Sequence, residues 1–350
     1  MPQDELTAAL EKDRLIASGV RSALLTGATG FVGSRLVAVL RRHDIHLTVA
    51  SRDQSKARSL WGDSVAYCQL DLTSSERVTG ICDGIDTVFH LAGYAHADDG
   101  DSDALTKLHR QVTVDGTDAL LLEAARAAVR RFVFLSSTKA MGEGDDLRLD
   151  EQSPAVPLSA YGRAKREAEQ LVLRAGPKYG MHVCVLRLPL VYGPGVKGNL
   201  LNMIGAIDRG RFPPLPEVRN CRSMVHVDDV VQALRLAVEN PKANGAVYLV
   251  TDGRVYSTYE ICTLIRRALG KADPKWKVPI SALRAAAGIV DAISRIRGRP
   301  FFFNSATLNK LVGSAWYSSE RIERDLGFRP THSFETALPE MVGEYRRRAR

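Results

Sequence analysis

The chain has 350 residues, 45% of them hydrophobic and 25% charged, which is enough to bury a sizeable core as one large or two fused domains and too apolar for a disordered protein. The net charge of +8 comes from arginines spread along the chain, so an anionic small molecule is a better-matched partner than a nucleic acid, and the one dense cluster, 346–350, reads as a solvated tail. No apolar run approaches the roughly 18 residues of a membrane span; the start, Met1 to Arg14, lacks a signal peptide's charge order, and the five cysteines lack metal-ligand spacing, which together point to reduced thiols in the cytoplasm.

Residues 1–20 are expected to form a short extension with a helix from Glu5 to Ala17. The apolar stretch Ser22 to Thr26 then runs through Gly27, Gly30 and Gly33 into an amphipathic segment, Phe31 to Arg42. Glycines at a strand-to-helix turn permit the tight bend, let backbone N–H groups approach a pyrophosphate and let helix and strand pack closely. This is the pattern of a dinucleotide site. Ile45 to Ala50 reads as the second strand. An acidic side chain after it would take the ribose hydroxyls of NAD, whereas Ser51-Arg52 offers a hydroxyl and a guanidinium suited to a 2′-phosphate, so NADP(H) is favoured. The alternative leaves Arg52 at the surface, with Asp53 on the ribose and NAD(H) as cofactor.

Val65 to Leu70 is a third strand ending in Asp71-Leu72, a carboxylate placed to accept from the adenine amino group. Thr87 to His90 is a fourth, running into Leu91-Ala92-Gly93, small residues against which a nucleotide can lie. One helix is expected from Leu105 to Val129, then a fifth strand from Arg131 to Leu135, leading into Ser136-Ser137-Thr138. This alternation predicts an α/β fold, a Rossmann-type doubly wound parallel sheet. In the helical segment that follows, Tyr161 and Lys165 stand four residues apart and therefore on one face. An ammonium near a phenol lowers the phenol's pKa toward neutrality, as proton exchange with a carbonyl or alcohol oxygen requires, and Ser137 can bond the same oxygen.

With these residues in place the chain resembles the extended short-chain dehydrogenase/reductases, particularly the nucleotide-sugar epimerase/dehydratase branch. The resemblance covers about residues 20–335 and rests on Thr26-Gly-Ala-Thr-Gly-Phe-Val-Gly33, Asp71-Leu72, His90-Leu-Ala-Gly93, Phe134-Leu-Ser-Ser137, Tyr161-x-x-x-Lys165, Arg187-Leu-Pro-Leu-Val-Tyr-Gly-Pro194 and Arg222-Ser-Met-Val-His-Val-Asp-Asp229. It implies a NAD(P)-binding domain over 21–190, a substrate lobe over 191–340 with some strands returning to the main sheet, and a basic tail over 341–350. It also implies hydride transfer at a sugar carbon, with Tyr161 as acid/base, Lys165 holding the nicotinamide ribose and tuning the tyrosine, and Ser137 orienting the reacting oxygen. Cofactor contacts are implied at Gly27, Thr29, Gly30, Phe31, Val32, Gly33, Ser51, Arg52, Asp71, Leu72, Leu91, Ala92, Gly93 and Leu188, and substrate contacts at Ser137, Thr138, Asn199 and Arg222. Homodimers are usual where the resemblance leads.

A guanidinium is the group best matched to a diphosphate, which supports Arg222 independently; the alternative pairs it with Asp228 or Asp229. His226 reads as a packed strand residue, and the alanine-rich helix Ile280 to Ile296 as packing on its own domain or facing a partner or membrane. Relatives that eliminate water carry an acidic pair where Thr138 and Lys139 stand here, which argues against a 4,6-dehydratase. Thr113 and Leu190 replace asparagines usual in the branch. The resemblance points most closely to bacterial surface-polysaccharide enzymes that reduce UDP-4-keto-6-deoxy-N-acetylhexosamines. A UDP-hexose 4-epimerase is the alternative, followed by a reductase of a non-sugar carbonyl or a non-catalytic NADP(H)-binding module. Small residues at Gly313-Ser-Ala315 would leave room for a 2-acetamido group.

Overall fold

The computed structural model describes residues 20–349 other than 44, 75–77, 95–101, 145, 275 and 298–303, so the helix expected at Glu5 to Ala17 lies outside the described residues. In chain order the elements are β1 (Ser22–Thr26), α1 (Phe31–Leu40), β2 (His46–Ser51), α2 (Gln54–Trp61), β3 (Ala66–Gln69), β4 (Thr87–His90) and α3 (Asp103–His109). A π-helical turn, Arg110–Asp115, leads into α4 (Gly116–Arg126), β5 (Arg131–Ser137), α5 (Ala160–Tyr179), β6 (His182–Leu188), β7 (Leu190–Tyr192) and α6 (Asn199–Asp208). Then come β8 (Arg222–His226), α7 (Val227–Glu239), β9 (Ala246–Leu249), β10 (Val255–Tyr256), α8 (Thr258–Ala268), α9 (Ile280–Arg297), α10 (Ser305–Val312), α11 (Glu320–Leu326) and α12 (Phe334–Ala349).

Seven parallel strands form the main sheet in the order β3-β2-β1-β4-β5-β6-β9. Apolar runs such as Ala23-Leu24-Leu25 and Phe132-Val133-Phe134 are buried on both faces, as helices on both sides of a parallel sheet require. On one face Leu36 and Val37 of α1, Val230 and Leu234 of α7 and Ile322 of α11 share a core. On the other, Leu120 and Leu121 of α4 pack with Ala168 and Val172 of α5. The chain order reverses between β1 and β4, and in such sheets the crevice at the carboxyl ends of these strands takes the ligand.

α5 brings its residues to that crevice because Ala164, Ala168, Val172 and Ala175 form a stripe of small buried side chains along it. Ser159 caps its start by accepting from the Gly162 N–H at 3.1 Å, and Gly180, left-handed at φ 64°, closes its end. A second sheet, β10-β8-β7, and a separate core built from Leu200, Ile204, Ile261, Ile265, Leu338 and Met341 make the C-terminal lobe.

Two expectations change. The helix expected from Leu105 to Val129 is two helices joined by the π turn, and it ends at Arg126. Gly116 explains the junction, since a Cβ there would lie 2.8 Å from the Leu72 Cβ, so the chain after β3 crosses the helix at contact distance. Nor is 341–350 a detached solvated tail. Residues through Ala349 continue α12, Met341 and Val342 are buried, and Arg346 Nη2 donates to the Leu269 carbonyl at 2.9 Å. In α9, Leu283 and Ala287 join the lobe core while Ile289 and Ile293 are exposed.

Candidate active site

At the nucleotide end, Gly27 adopts φ +72°, and a Cβ there would sit 2.7 Å from the Ala92 backbone nitrogen. A Cβ on Gly33 would sit 2.2 Å from the Gly27 carbonyl oxygen. Both positions therefore exclude any side chain. Gly30 caps α1 with no side-chain hydrogen bond, and no acidic residue occupies the first turn, so the positive end of this helix is left to an anion. Thr29, Phe31 and Val32 line the turn, half-buried. A dinucleotide pyrophosphate fits this cradle.

Thr26 Oγ1 bonds His90 Nδ1 at 2.7 Å and accepts from the Ala92 N–H at 3.1 Å, while His90 Nε2 bonds Thr117 Oγ1 at 3.0 Å. Burial pushes His90 down to about 3, so it serves as a neutral strut that fixes Leu91, Ala92 and Gly93 beside the glycine turn. Leu72 is buried under Gly116, and Asp71 Oδ1 accepts from the Thr73 N–H at 3.0 Å and hydroxyl at 2.7 Å. At the end of β2 the Arg52 side chain is exposed. Asp53 caps α2, its Oδ1 accepting from the Lys56 N–H at 2.9 Å, and Ser51 Oγ accepts from the Asp53 N–H at 3.2 Å.

At the reacting end, β5 delivers Ser137 and α5 delivers Tyr161, and the Ser137 hydroxyl is hydrogen-bonded to the phenol. Lys165 is buried; its Nζ donates to the Leu135 carbonyl at 2.8 Å and lies 4.5 Å from the Phe134 ring centroid. A Cβ on Gly93 would come within 3.3 Å of this ammonium, which ties the β4 loop to Lys165. Leu188 ends β6, paired with Ser137 in register.

One electrostatic expectation is corrected. In the free protein the Tyr161 phenol is pushed up, not toward neutrality: burial dominates and the Ser137 bond only partly offsets it. Burial also pushes Lys165 down to about 8, its ammonium being turned to a carbonyl and an aromatic face.

On the lobe side, Arg222 pairs with neither Asp228 nor Asp229. Its Nη1 donates to the Lys310 carbonyl at 2.9 Å and the Gly313 carbonyl at 3.1 Å, and burial pulls its pKa down. Among the described residues its Nε and Nη2 make no hydrogen bond. Asp228 instead binds Arg35 of α1 through two bonds, one of 2.8 Å, tying α7 to α1 on one face of the main sheet. Asp229 accepts from Thr331 and His332, while His226, buried and pushed down to about 4, caps α7 and stacks on His332 at 4.0 Å. The grouping of His226, Asp229 and His332 thus clamps the segment before α12. Asn199 opens α6 at the surface, on a different element from Arg222.

Thr138 is buried and hydrogen-bonded to the Tyr317 phenol, whose OH donates to the Gly142 carbonyl at 2.8 Å. Lys139 is ion-paired with Glu143. Sequence reasoning missed Tyr317, whose only signal is its place just after Gly313-Ser-Ala315. It also missed Glu169. That carboxylate is buried on α5, bidentate to Arg187 of β6 at 2.9 and 2.7 Å and accepting from Ser136 at 2.6 Å.

A profile of the NAD dependent epimerase/dehydratase family matches residues 23–251. The chain belongs to that family. It is 29% identical over 319 residues to a UDP-glucose 4-epimerase of Vibrio cholerae, spanning 90% of this chain and 92% of that protein. It is 27% identical over 351 residues to a 3 beta-hydroxysteroid dehydrogenase/Delta 5-->4-isomerase of Mycobacterium tuberculosis, spanning 95% and 92%. Among solved structures, MoeE5 in complex with UDP-glucuronic acid and NAD superposes with a TM-score of 0.71 at 25% identity, covering 94% of this chain and all of that one. This family member is thus an oxidoreductase of the epimerase/dehydratase type, built for a NAD(P) nucleotide. Among its described residues no helix is long and apolar enough to cross a membrane.

Proposed function

We propose that the protein is an NADPH-dependent reductase of a UDP-4-keto-6-deoxy-N-acetylhexosamine, a cytoplasmic homodimer serving surface-polysaccharide synthesis. The observation that carries the reading is a complete Ser137, Tyr161 and Lys165 arrangement with Thr138 and Lys139, not two carboxylates, beside it. Hydride transfer needs the first set, and elimination of water needs the second.

A bound nicotinamide would supply the hydride. Tyr161 would give its phenolic proton to the carbonyl oxygen at C4, Ser137 would hold that oxygen, and Lys165 would hold the cofactor ribose. Burial keeps the phenol protonated at neutral pH, the state in which a reductase begins its cycle. Arg222 supports a diphosphate over a sterol: it is a desolvated cation fixed by two carbonyls, with donors to spare for an anion. The five free cysteines fit a reducing compartment.

Arg52 favours NADPH because Asp53, its competitor for the ribose, is occupied as a helix cap. A charged hydrogen bond is worth about 1.5–3 kcal/mol. Arg52→Asp should therefore lower the NADPH/NADH ratio of kcat/KM by about ten- to a hundredfold, and an unchanged ratio would refute the role. As Lys165 loses its proton when pH rises through about 8, kcat/KM should fall across that range; a flat profile to pH about 10 would remove the ammonium from the mechanism.

The second reading, a NAD-dependent 4-epimerase, is favoured by the Vibrio cholerae relative. An epimerase retains its cofactor and returns the same hydride, so it consumes no NADPH.

A further inference from the structure

The inner face of α9 is secured, since Leu283 and Ala287 are buried in the lobe core and the helix packs along α10. Its outward face is apolar too. Ala282, Ala285, Ala286, Ile289 and Ile293 recur at helical spacing along it and are exposed, Ile289 by 63% and Ile293 by 42%. A helix lying on a water-facing lobe ordinarily turns polar side chains outward. Among the described side chains of α9, Arg284 is the one exposed charge. Just ahead of the helix Trp276 is 64% exposed, followed by Lys277, whose ammonium lies 5.0 Å from the Tyr259 ring centroid.

Charge singles out the same stretch. Arginines are spread along the chain, but the acids that balance them are not: from 266 to 310 ten lysines and arginines meet only Asp273 and Asp291, so this stretch carries as much charge as the whole chain, +8. Two of the ten are answered from outside it, Lys277 by Glu217 and Lys271 by Asp208 at 3.7 Å. Arg346 Nη2 in turn donates to the Leu269 carbonyl, which brings the arginine-rich end of α12 to the end of α8 that carries Arg266 and Arg267.

One kind of partner uses both features. A nucleic acid would take up the charge and leave the isoleucines in water. A second copy of the chain, docked by the same face as two-fold symmetry requires, would set like charge against like. A bilayer surface rich in anionic lipid matches the whole: phosphate headgroups attract the cations, alanine and isoleucine enter the boundary between headgroups and acyl chains, and a tryptophan settles at that interface. We propose that α9, with Trp276 ahead of it, docks the protein on an anionic membrane surface. The helix lies in the plane of that surface, as no helix among the described residues is long and apolar enough to cross it.

Vesicle binding by the full chain tests this without substrate or NADPH, so the outcome does not depend on the reductase reading. The protein is sedimented with vesicles of phosphatidylcholine alone and of phosphatidylcholine with an equal part of phosphatidylglycerol. Binding should appear only with phosphatidylglycerol and should weaken at least tenfold between about 50 mM and about 300 mM salt. Ile289→Ser combined with Ile293→Ser should weaken it about tenfold or more, and Arg284→Gln about fivefold. All three side chains are exposed, so the Tm of each variant should stay at the wild-type value. Of the three tryptophans Trp276 alone is exposed; emission should shift to the blue on the anionic vesicles, and Trp276→Phe should abolish the shift. Absence of binding to both vesicles, equal binding to both, or full binding by the isoleucine variant would each overturn the proposal, as would binding that leaves Trp276 in water. A wild-type oligomer that the isoleucine variant breaks up, with no vesicle binding, would overturn it as well and make the face a contact between copies.

Discussion

Tyr161→Phe should lower kcat/KM for the keto sugar by about 10²–10⁴-fold while leaving NADPH affinity near wild type. The variant removes one hydroxyl and keeps the ring that packs on His109, so the fold of the crevice has no reason to change. The size of the effect follows from what the hydroxyl does: without it the developing alkoxide at C4 has only the Ser137 hydroxyl nearby as donor. Steady-state rates alongside NADPH binding by fluorescence separate the two quantities. Full activity in the variant would sink the assignment of Tyr161, and lost cofactor binding would mean the phenol serves the nucleotide.

The second large effect is on stability. Glu169→Ala should destabilise the fold by about 3–5 kcal/mol, because it strands a guanidinium in the core. Arg187 is 3% exposed and Glu169 fully buried, and their bidentate bond joins β6 to α5, with Ser136 of β5 and Arg166 of α5 also donating to the carboxylate. α5 carries Tyr161 and Lys165, so the same substitution should also lower activity in the fraction that remains folded. Urea unfolding measures the first effect. A loss below about 1 kcal/mol would mean that solvent reaches the site and satisfies Arg187.

Why some of this is legible in the sequence and some is not comes down to distance along the chain. The glycine turn is local: strand, Gly27, Gly30, Gly33 and helix follow one another, so their spacing carries their geometry. The same holds for Tyr161 and Lys165, one helical turn apart. The alternation of short apolar strands with helical segments points to the parallel sheet, because apolar runs buried on both faces have few other solutions.

What escaped depends on partners far apart. Glu169 looks like one more surface acid on an alternating helix until Arg187 arrives from the next strand. Tyr317 meets Thr138 and Gly142 across well over a hundred residues of chain, and Arg222 finds carbonyls in the α10 region and not the aspartates close by in sequence. The break of the expected long helix at Gly116 is likewise a contact with Leu72, not a local signal. The pKa of Tyr161 illustrates the limit most clearly. Helical spacing places an ammonium near the phenol, but only the packed structure reveals that burial pushes the phenol up and that the ammonium has turned to Leu135.

The central claim is reduction of a 4-keto sugar, and one incubation tests it most directly. The purified protein is mixed with the UDP-4-keto-6-deoxy sugar made from UDP-N-acetylglucosamine, and separately with UDP-N-acetylglucosamine itself, each with and without NADPH, while nicotinamide absorbance and sugar products are followed. The account predicts stoichiometric loss of NADPH with the keto sugar alone. Interconversion of UDP-N-acetylglucosamine with its C4 epimer, with no net change in cofactor, would contradict it and make the protein an epimerase in which Arg52 has no phosphate to bind.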